Sequence, residues 1–346
     1  MTQKRIFVTG AAGFIGYHLT KRFIADGFEV IALDSVNDFY NPNIKYARLR
    51  DLGIDLAKGI TKSGSLTFYK ENLQNKDAIH SIFENHEIDY VINLAAQAGV
   101  RYQFESPFSY VDSNLTGFVT LIEEVKSRGI KNFIYASSSS VYGLNDDPAS
   151  SEKDSVDHPA SLYAATKRAN ELIAHSYSNL FNLPTIGLRF FNVYGTWGRP
   201  DMFMYKLADS IVKGDELQLY LRDGKSLWRD YTFVSDITEG ITRLLDYVPV
   251  AKDVTLPCHS SVPFEIFNIG RGDPIENAEV VQVMEEYFGK KANIKFVEGP
   301  STEVFKKYAD TTRLETAVGY KPVVTAREGV TKLAQWYKEN VELLTN

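Results

Sequence analysis

The sequence predicts an α/β fold in which a doubly wound parallel sheet carries a second, smaller α+β lobe, and three observations support that expectation. The first is the run Gly10, Ala11, Ala12, Gly13, Phe14, Ile15, Gly16 directly behind the apolar stretch 6–8. The second is the alternation of short apolar runs, at 29–33, 66–69, 90–95, 132–136 and 185–190, with longer amphipathic stretches. Strands that alternate with helices form a parallel sheet covered on both faces. The third is the change of character in the last third, where short elements are separated by 197–201, 222–225, 249–262 and 270–274. The expected division is 1–190, joined by 232–270, for a dinucleotide-binding lobe, and 191–231 with 271–346 for the smaller one.

The first turn explains itself through its glycines. A tight strand-to-helix turn leaves no room for Cβ atoms where a pyrophosphate meets backbone N–H groups and the positive helix N-terminus. Behind it, Phe14, Ile15, Leu19, Phe23 and Ile24 recur at helical spacing, Gly27 ends the helix, and 29–33 reads as a second strand ending in Asp34. Asp34 stands 18 residues after Gly16, where a ribose 2′-hydroxyl arrives. Its charge repels a 2′-phosphate and no arginine occupies the next ten positions, so NAD is favoured over NADP. Asn37, in the polar loop 34–40, is a candidate for the same ribose or adenine region, and equally an ordinary turn residue.

Ligands of such sheets collect at the carboxyl ends of the strands, so the informative residues are those just after each apolar run. The terminal helix, with Val330, Leu333, Trp336, Tyr337, Val341 and Leu344 on or near one face, reads as a docked helix without further role. Composition narrows the function classes. At 346 residues and 44% apolar content the chain buries a large core, and a net charge of −6 argues against nucleic acid. Charges break every apolar run well short of the ~20 residues a bilayer requires. The single cysteine, Cys258, excludes an internal disulfide, and no signal-like apolar core precedes the first strand, so a reducing cytoplasm is the expected compartment. No metal site is expected.

Ser137, Ser138, Ser139 and Ser140 follow the apolar run 132–136, and Tyr163 and Lys167 lie four apart on an alanine-rich helical stretch. That spacing puts phenol and ammonium on one helical face. A tyrosine with an ordinary pKa of about 10 is a poor base at neutral pH, but a neighbouring lysine and a positive nicotinamide favour the phenolate. The same spacing occurs at Tyr17 with Lys21 and at Tyr287 with Lys291. Neither pair has a hydroxyl-bearing strand end upstream, as Tyr163 has in Ser138.

Taken together, the glycine turn, the serine cluster and the Tyr163/Lys167 pair resemble the extended short-chain dehydrogenase/reductase family, essentially end to end. Five further segments resemble its nucleotide-sugar 4-epimerases, above all UDP-glucuronate 4-epimerases: 94–102 (LAAQAGVRY), 163–171 (YAATKRANE), 193–202 (VYGTWGRPDM), 229–236 (RDYTFVSD) and 268–270. The resemblance implies a Rossmann sheet, NAD as an internally regenerated cofactor, a UDP-sugar substrate and a homodimer paired through two helices per subunit. It implies that Tyr163 takes the proton from the sugar 4-hydroxyl, with Ser138 bonding the reacting oxygen and Lys167 holding the nicotinamide ribose. The keto sugar then rotates and is reduced on its other face. Gly10, Gly13, Phe14, Ile15 and Gly16 would cradle the cofactor, with Asp34, Asn37, Asn72, Leu73 and Ala95 around its adenosine side. Arg199, with Ser139 and Ser140, would grip a uronate carboxylate. Arg229 would hold the diphosphate, Asn192 would touch the nucleotide sugar, and Arg101 is a further candidate.

The chain also departs from the pattern. Glucuronate epimerases commonly place threonine where Asn192 stands, and asparagine is common among relatives acting on neutral or N-acetylated sugars. Asn72 replaces a usual aspartate, and Thr302, Glu303 and Val304 replace a common Gly-Asp-Val. Dehydratase members carry an Asp-Glu pair where this chain has Ser139 and Ser140, so no acid and base are placed to expel a 6-hydroxyl. Two other readings remain open. One is a decarboxylase, in which a 4-keto uronate loses CO₂; the other is a non-catalytic NAD-binding protein, which would have no use for the Ser, Tyr and Lys set.

Overall fold

The structure is a computed structural model that describes residues 3–99, 106–145, 147–252, 256, 258–300 and 304–345. Its centre is an eight-stranded sheet. We number its principal strands β1 (Arg5–Thr9), β2 (Glu29–Asp34), β3 (Leu66–Lys70), β4 (Tyr90–Asn93), β5 (Asn132–Ser138), β6 (Thr185–Phe190) and β7 (Phe264–Ile269). They lie in the order β7-β6-β5-β4-β1-β2-β3, every neighbouring pair parallel, and the two-residue strand Lys62–Ser63 adds an antiparallel edge. Strand order reverses at β1, between β2 and β4. A crevice opens at such a reversal above the carboxyl ends of the strands.

The alternation of side chains explains why both faces are covered. Ile6 and Val8 of β1 belong to one buried cluster and Phe7 to the other, and in β2 Val30 and Ala32 part from Ile31 and Leu33 in the same way. The first cluster takes in Phe14, Tyr17, Leu19 and Phe23 of the helix Phe14–Ala25, with Ile237 and Ile241 of the helix Val234–Leu244. The second takes in Ile79, Ile82 and Phe83 of Lys76–Asn85, and Phe118, Leu121, Ile122 and Val125 of Gly117–Val125. Period two in the strands and period 3.6 in the helices thus fit one sandwich of three layers.

The smaller lobe mixes short strands and helices, as the last third of the sequence predicts. One sheet joins Leu217–Arg222, Lys225–Ser226 and Ile294–Glu298; another joins Ile275–Glu276, Trp228–Arg229, Lys306–Ala309 and Ala149–Ser150. Ala149–Ser150 belongs to the first 190 residues, so the two parts of the chain share a sheet. The terminal helix runs only over Ala326–Asn340, and a separate turn of helix, Glu342–Thr345, follows. Val330, Leu333, Trp336 and Tyr337 are buried on it, while Val341 and Leu344 lie past its end and pack on the same core half-buried. Among the described residues no helix is long and apolar enough to cross a membrane.

Candidate active site

A cavity of about 350 Å³ opens at the carboxyl ends of β1, β2, β4 and β5 and extends to the segment after β6. Its floor is the first turn. Gly10 has φ +71°, and a Cβ there would stand 2.9 Å from the Ala95 nitrogen; a Cβ on Gly16 would stand 2.1 Å from the Gly10 carbonyl oxygen. Only glycine lets the helix Phe14–Ala25 start this close to the strand. Gly13 caps that helix without any side-chain hydrogen bond, and Gly13, Phe14, Ile15 and Gly16 all line the cavity. The first N–H groups of a helix lack intrahelical partners, so an anion such as a pyrophosphate fits here.

Asp34, at the end of β2, is buried, and its two oxygens accept from the backbone N–H of Ala12 (3.0 Å) and Val36 (2.7 Å). A carboxylate oxygen has a second lone pair, so ribose hydroxyls can still donate to it. Asn37 lines the cavity beside it and accepts a hydrogen bond from Lys45 Nζ at 2.5 Å. Lys45 also lines the cavity; burial pushes its ammonium below the ordinary lysine range, and the charge of Asp34 opposes that. No motif in the sequence marks Lys45. Asn72, Leu73 and Ala95 complete this end of the cavity, and the Ala95 N–H is held by Thr9 Oγ1 at 3.1 Å.

The candidate reacting groups gather where β5 ends. The helix Leu162–Phe181 begins at Ser161, whose side chain accepts from the Ala164 N–H, and it brings Tyr163 and Lys167 to the cavity together with Ser137 and Ser138. Lys167 Nζ donates to the Ala136 carbonyl at 2.9 Å and lies 5.8 Å from the centre of the Tyr163 ring. Burial pushes the Lys167 ammonium down to about 8. Burial raises the Tyr163 phenol, while its hydrogen bond with Ser138 and the charge of Arg199 pull the other way. Arg199 thus bears on the phenol together with Lys167, the residue that the sequence singles out.

Beneath these groups lies a support that sequence patterns do not reveal. Glu171, one turn beyond Lys167, is wholly buried, accepts from Ser137 Oγ (2.6 Å), and is gripped through both oxygens by Arg189 of β6 at 2.9 Å. This ties the serine strand, the helix and β6 into one unit. Asn114 does the same on the other side: it accepts from the Gln97 N–H (2.7 Å) and donates to Thr166 Oγ1 (3.0 Å). Asn268 is fully buried and bonds Tyr142, Ser150 and Asp310, so its place is structural.

The other side of the cavity comes from residues after β6. Asn192 and Arg199 both line it. The segment before Arg199 is pinned by Arg48, a fully buried guanidinium with all five N–H donors used: on Trp197 O twice, Gly198 O, Ala12 O and Tyr40 Oη, at 2.6–3.1 Å. One side chain thereby ties the glycine turn to the loop that carries Arg199. Arg199 itself donates from Nε and Nη2 to the two oxygens of Asp201, at 3.0 and 2.6 Å, and lies 5.7 Å from the centre of the Phe39 ring.

Three expected site residues, Ser139, Ser140 and Arg229, stand off the cavity wall. Ser138 ends β5 and caps the 3₁₀ turn Ser139–Tyr142, accepting from the Ser140 N–H and from Ser140 Oγ at 2.9 Å. That turn takes Ser139 and Ser140 out of the cavity wall, and the Ser140 hydroxyl is spent on Ser138. Arg229 is not among the lining residues; its Nη1 donates to the Trp228 and Val304 carbonyls at 2.8 Å, while its neighbour Asp230 is buried and satisfied by the N–H groups of Arg271, Gly272 and Ala309. Arg101, Thr302 and Glu303 lie outside the described residues.

The chain is similar to known proteins along nearly its whole length. The pattern of the NAD dependent epimerase/dehydratase family matches residues 6–270. Protein CapI of Staphylococcus aureus is 42% identical over 341 residues, covering 97% of this chain and 98% of that one. A probable UDP-glucuronate 4-epimerase of Rhizobium meliloti is 36% identical over 342 residues, 97% of each chain. Among solved structures, the UDP-glucuronic acid 4-epimerase of Bacillus cereus, in complex with UDP-glucuronic acid and NAD, superposes with a TM-score of 0.83 at 28% identity and covers 97% of this chain and 99% of its own. The chain belongs to the NAD dependent epimerase/dehydratase family.

Proposed function

We propose that this protein is an NAD-dependent 4-epimerase that interconverts UDP-glucuronate and UDP-galacturonate through a transient 4-keto sugar. The observation that carries the reading is one cavity holding a glycine turn fit for a pyrophosphate, a half-buried Ser138–Tyr163 pair beside the buried Lys167, and an arginine fork at Arg199. The relatives named as UDP-glucuronate 4-epimerases and the Bacillus cereus complex support it.

In this reading Gly13, Phe14, Ile15 and Gly16 hold the pyrophosphate, Asp34 accepts from the adenosine ribose, and Lys167 donates to the nicotinamide ribose. When bound, NAD supplies the oxidant for C4 and returns the same hydrogen to the opposite face. Tyr163 removes the 4-hydroxyl proton as C4 is oxidised and returns it as C4 is reduced, so one group serves as base and then as acid. Ser138, fixed by Ser140 and by the pinned strand end, donates to the same oxygen. Arg199 receives the carboxylate on C5 with two parallel N–H bonds, a fit that planar guanidinium provides and ammonium does not. Holding that carboxylate fixed stops it from turning perpendicular to the adjacent carbonyl, so the keto sugar keeps its CO₂.

Asn192 in place of the common threonine favours a second reading, in which a neutral or N-acetylated sugar is the substrate. The test is to incubate the purified protein with UDP-glucuronate, UDP-glucose and UDP-N-acetylglucosamine separately, following the H4 signal by NMR and the product mass. Conversion of the uronate at unchanged mass is expected. Turnover of only the neutral sugars moves the specificity to Asn192, and loss of CO₂ from the uronate makes the protein a decarboxylase.

We also propose that the protein pairs with a second copy through the helices Leu162–Phe181 and Gly117–Val125. They leave Leu172, Leu180, Phe181 and Val119 exposed, an apolar surface that a partner helix pair would cover.

A further inference from the structure

Arg199 is the one fork-shaped donor lining the sugar side of the cavity among the described residues, yet its side edge is already occupied. A guanidinium offers two edges that each match a carboxylate: the side edge, Nε with one Nη2 hydrogen, and the end edge, Nη1 with the other Nη2 hydrogen. Asp201 takes the side edge with both oxygens, at 3.0 Å from Nε and 2.6 Å from Nη2. Arg199 lines the cavity while Asp201 does not, and the Asp201 side chain is the more exposed of the two, 38% against 22%. The loop cannot easily swing to change this. Arg48 fastens Trp197 and Gly198 immediately before Arg199, the Tyr205 hydroxyl accepts from the Gly198 N–H at 2.6 Å, and the Met202 N–H closes a turn onto the Arg199 carbonyl.

We propose that Asp201 is a specificity-determining positioning residue: it fixes the plane of the Arg199 guanidinium from the solvent side, so that the end edge is presented to the substrate carboxylate. This rests on the substrate reading given above. Three physical consequences favour a positioning role over competition between Asp201 and the substrate. A carboxylate arriving at the end edge forms two bonds without displacing Asp201. A half-buried guanidinium that keeps a counter-charge is held extended and does not fold toward the Tyr163 phenol, whose ionisation it influences. An arginine already ordered gives up less side-chain freedom when the sugar binds.

The test uses the NAD-loaded protein and compares the wild type with Asp201→Asn and Asp201→Ala, measuring affinities for UDP-glucuronate and UDP-glucose by calorimetry and kcat and KM for the uronate. The amide of Asp201→Asn keeps the shape but accepts only one of the two N–H bonds. Asp201→Ala is expected to lose about tenfold in uronate affinity, with Asp201→Asn in between. UDP-glucose binding should stay within about twofold, and the loss should fall on KM more than on kcat. Equal losses for both sugars would make Asp201 part of the scaffold only, and tighter uronate binding by Asp201→Ala would make it a competitor; either overturns the proposal. A wild type that prefers the uronate while Asp201→Ala keeps the full preference contradicts the Asp201 role alone. A wild type without that preference contradicts the substrate reading, and the Asp201 role goes with it.

Discussion

The cofactor side of the cavity is shaped by backbone, whereas the sugar side is shaped by side chains on a loop that other side chains hold in place. On the first side, Gly10 and Gly16 leave room that a single methyl group would close, and strand pairing brings together the helix start, the end of β2 and the end of β4, with Asp34 and Thr9 bonding the backbone there. On the second side, Arg199 depends on Asp201 for its orientation and on Arg48 for the course of its loop. Between them stands the reacting pair, fixed from below by Glu171 and Arg189. A site built this way can keep its cofactor chemistry while its sugar preference is changed by a few loop residues.

The largest expected effect lies at the boundary between the two sides. Tyr163→Phe removes the only acid and base assigned to the 4-oxygen, and turnover should fall by at least about a thousandfold. Bound NAD should stay, because the phenol is not needed to cradle the pyrophosphate. Turnover by NMR, with the NAD released on denaturing the protein, checks both halves. An active Tyr163→Phe would remove the reacting pair from the account.

A smaller effect is expected from breaking the backbone-shaped side alone. In Gly16→Ala the new Cβ would stand 2.1 Å from a backbone oxygen, so the helix must shift, at a cost of about 1–3 kcal/mol. The protein should be purified with little NAD and a lowered Tm, in contrast to Asp201→Ala, which should keep both. If Gly16→Ala retained its NAD, the close approach of helix and strand would not be what forms the cofactor site.

The smallest effect is a pH dependence of stability. Lys167 has a native pKa of about 8 against the ordinary 10.5, because burial disfavours its charge. Between those values the native state holds fewer protons than the unfolded chain, so this group makes stability rise with pH across that window. Thermal unfolding of the NAD-free protein at about pH 8 and about pH 10 should show Lys167→Met losing that rise relative to the wild type. Parallel behaviour of the two proteins would place the Lys167 ammonium in contact with water.

The same contrast explains what could be read from the sequence. Strands β1, β2, β3 and β6 stand where apolar runs and glycine turns predict, because burial and backbone geometry leave a local signature. Ser138, Tyr163 and Lys167 meet for a similar reason, a strand end and one helical face. Ser139 and Ser140 were expected beside Arg199, but the chain turns into a 3₁₀ helix after Ser138 and takes them off the cavity wall. Arg48, Lys45 and Asn114 lie outside every segment that the sequence singles out, and Glu171 lies inside one, 163–171, without any sign there of its partners Ser137 and Arg189. Each acts on partners from 8 to 150 positions away, and a contact of that kind exists only once the sheet has brought the segments together.

The proposed epimerase oxidises and reduces C4 inside one site with a cofactor that never leaves. Incubating the protein, without added NAD, with UDP-glucuronate deuterated at C4 in ordinary water, and examining C4 of the UDP-galacturonate formed, tests this. The deuterium should stay on C4 of the product. Replacement of that deuterium by solvent hydrogen, or conversion that occurs only when free NAD is supplied at every turnover, would contradict it.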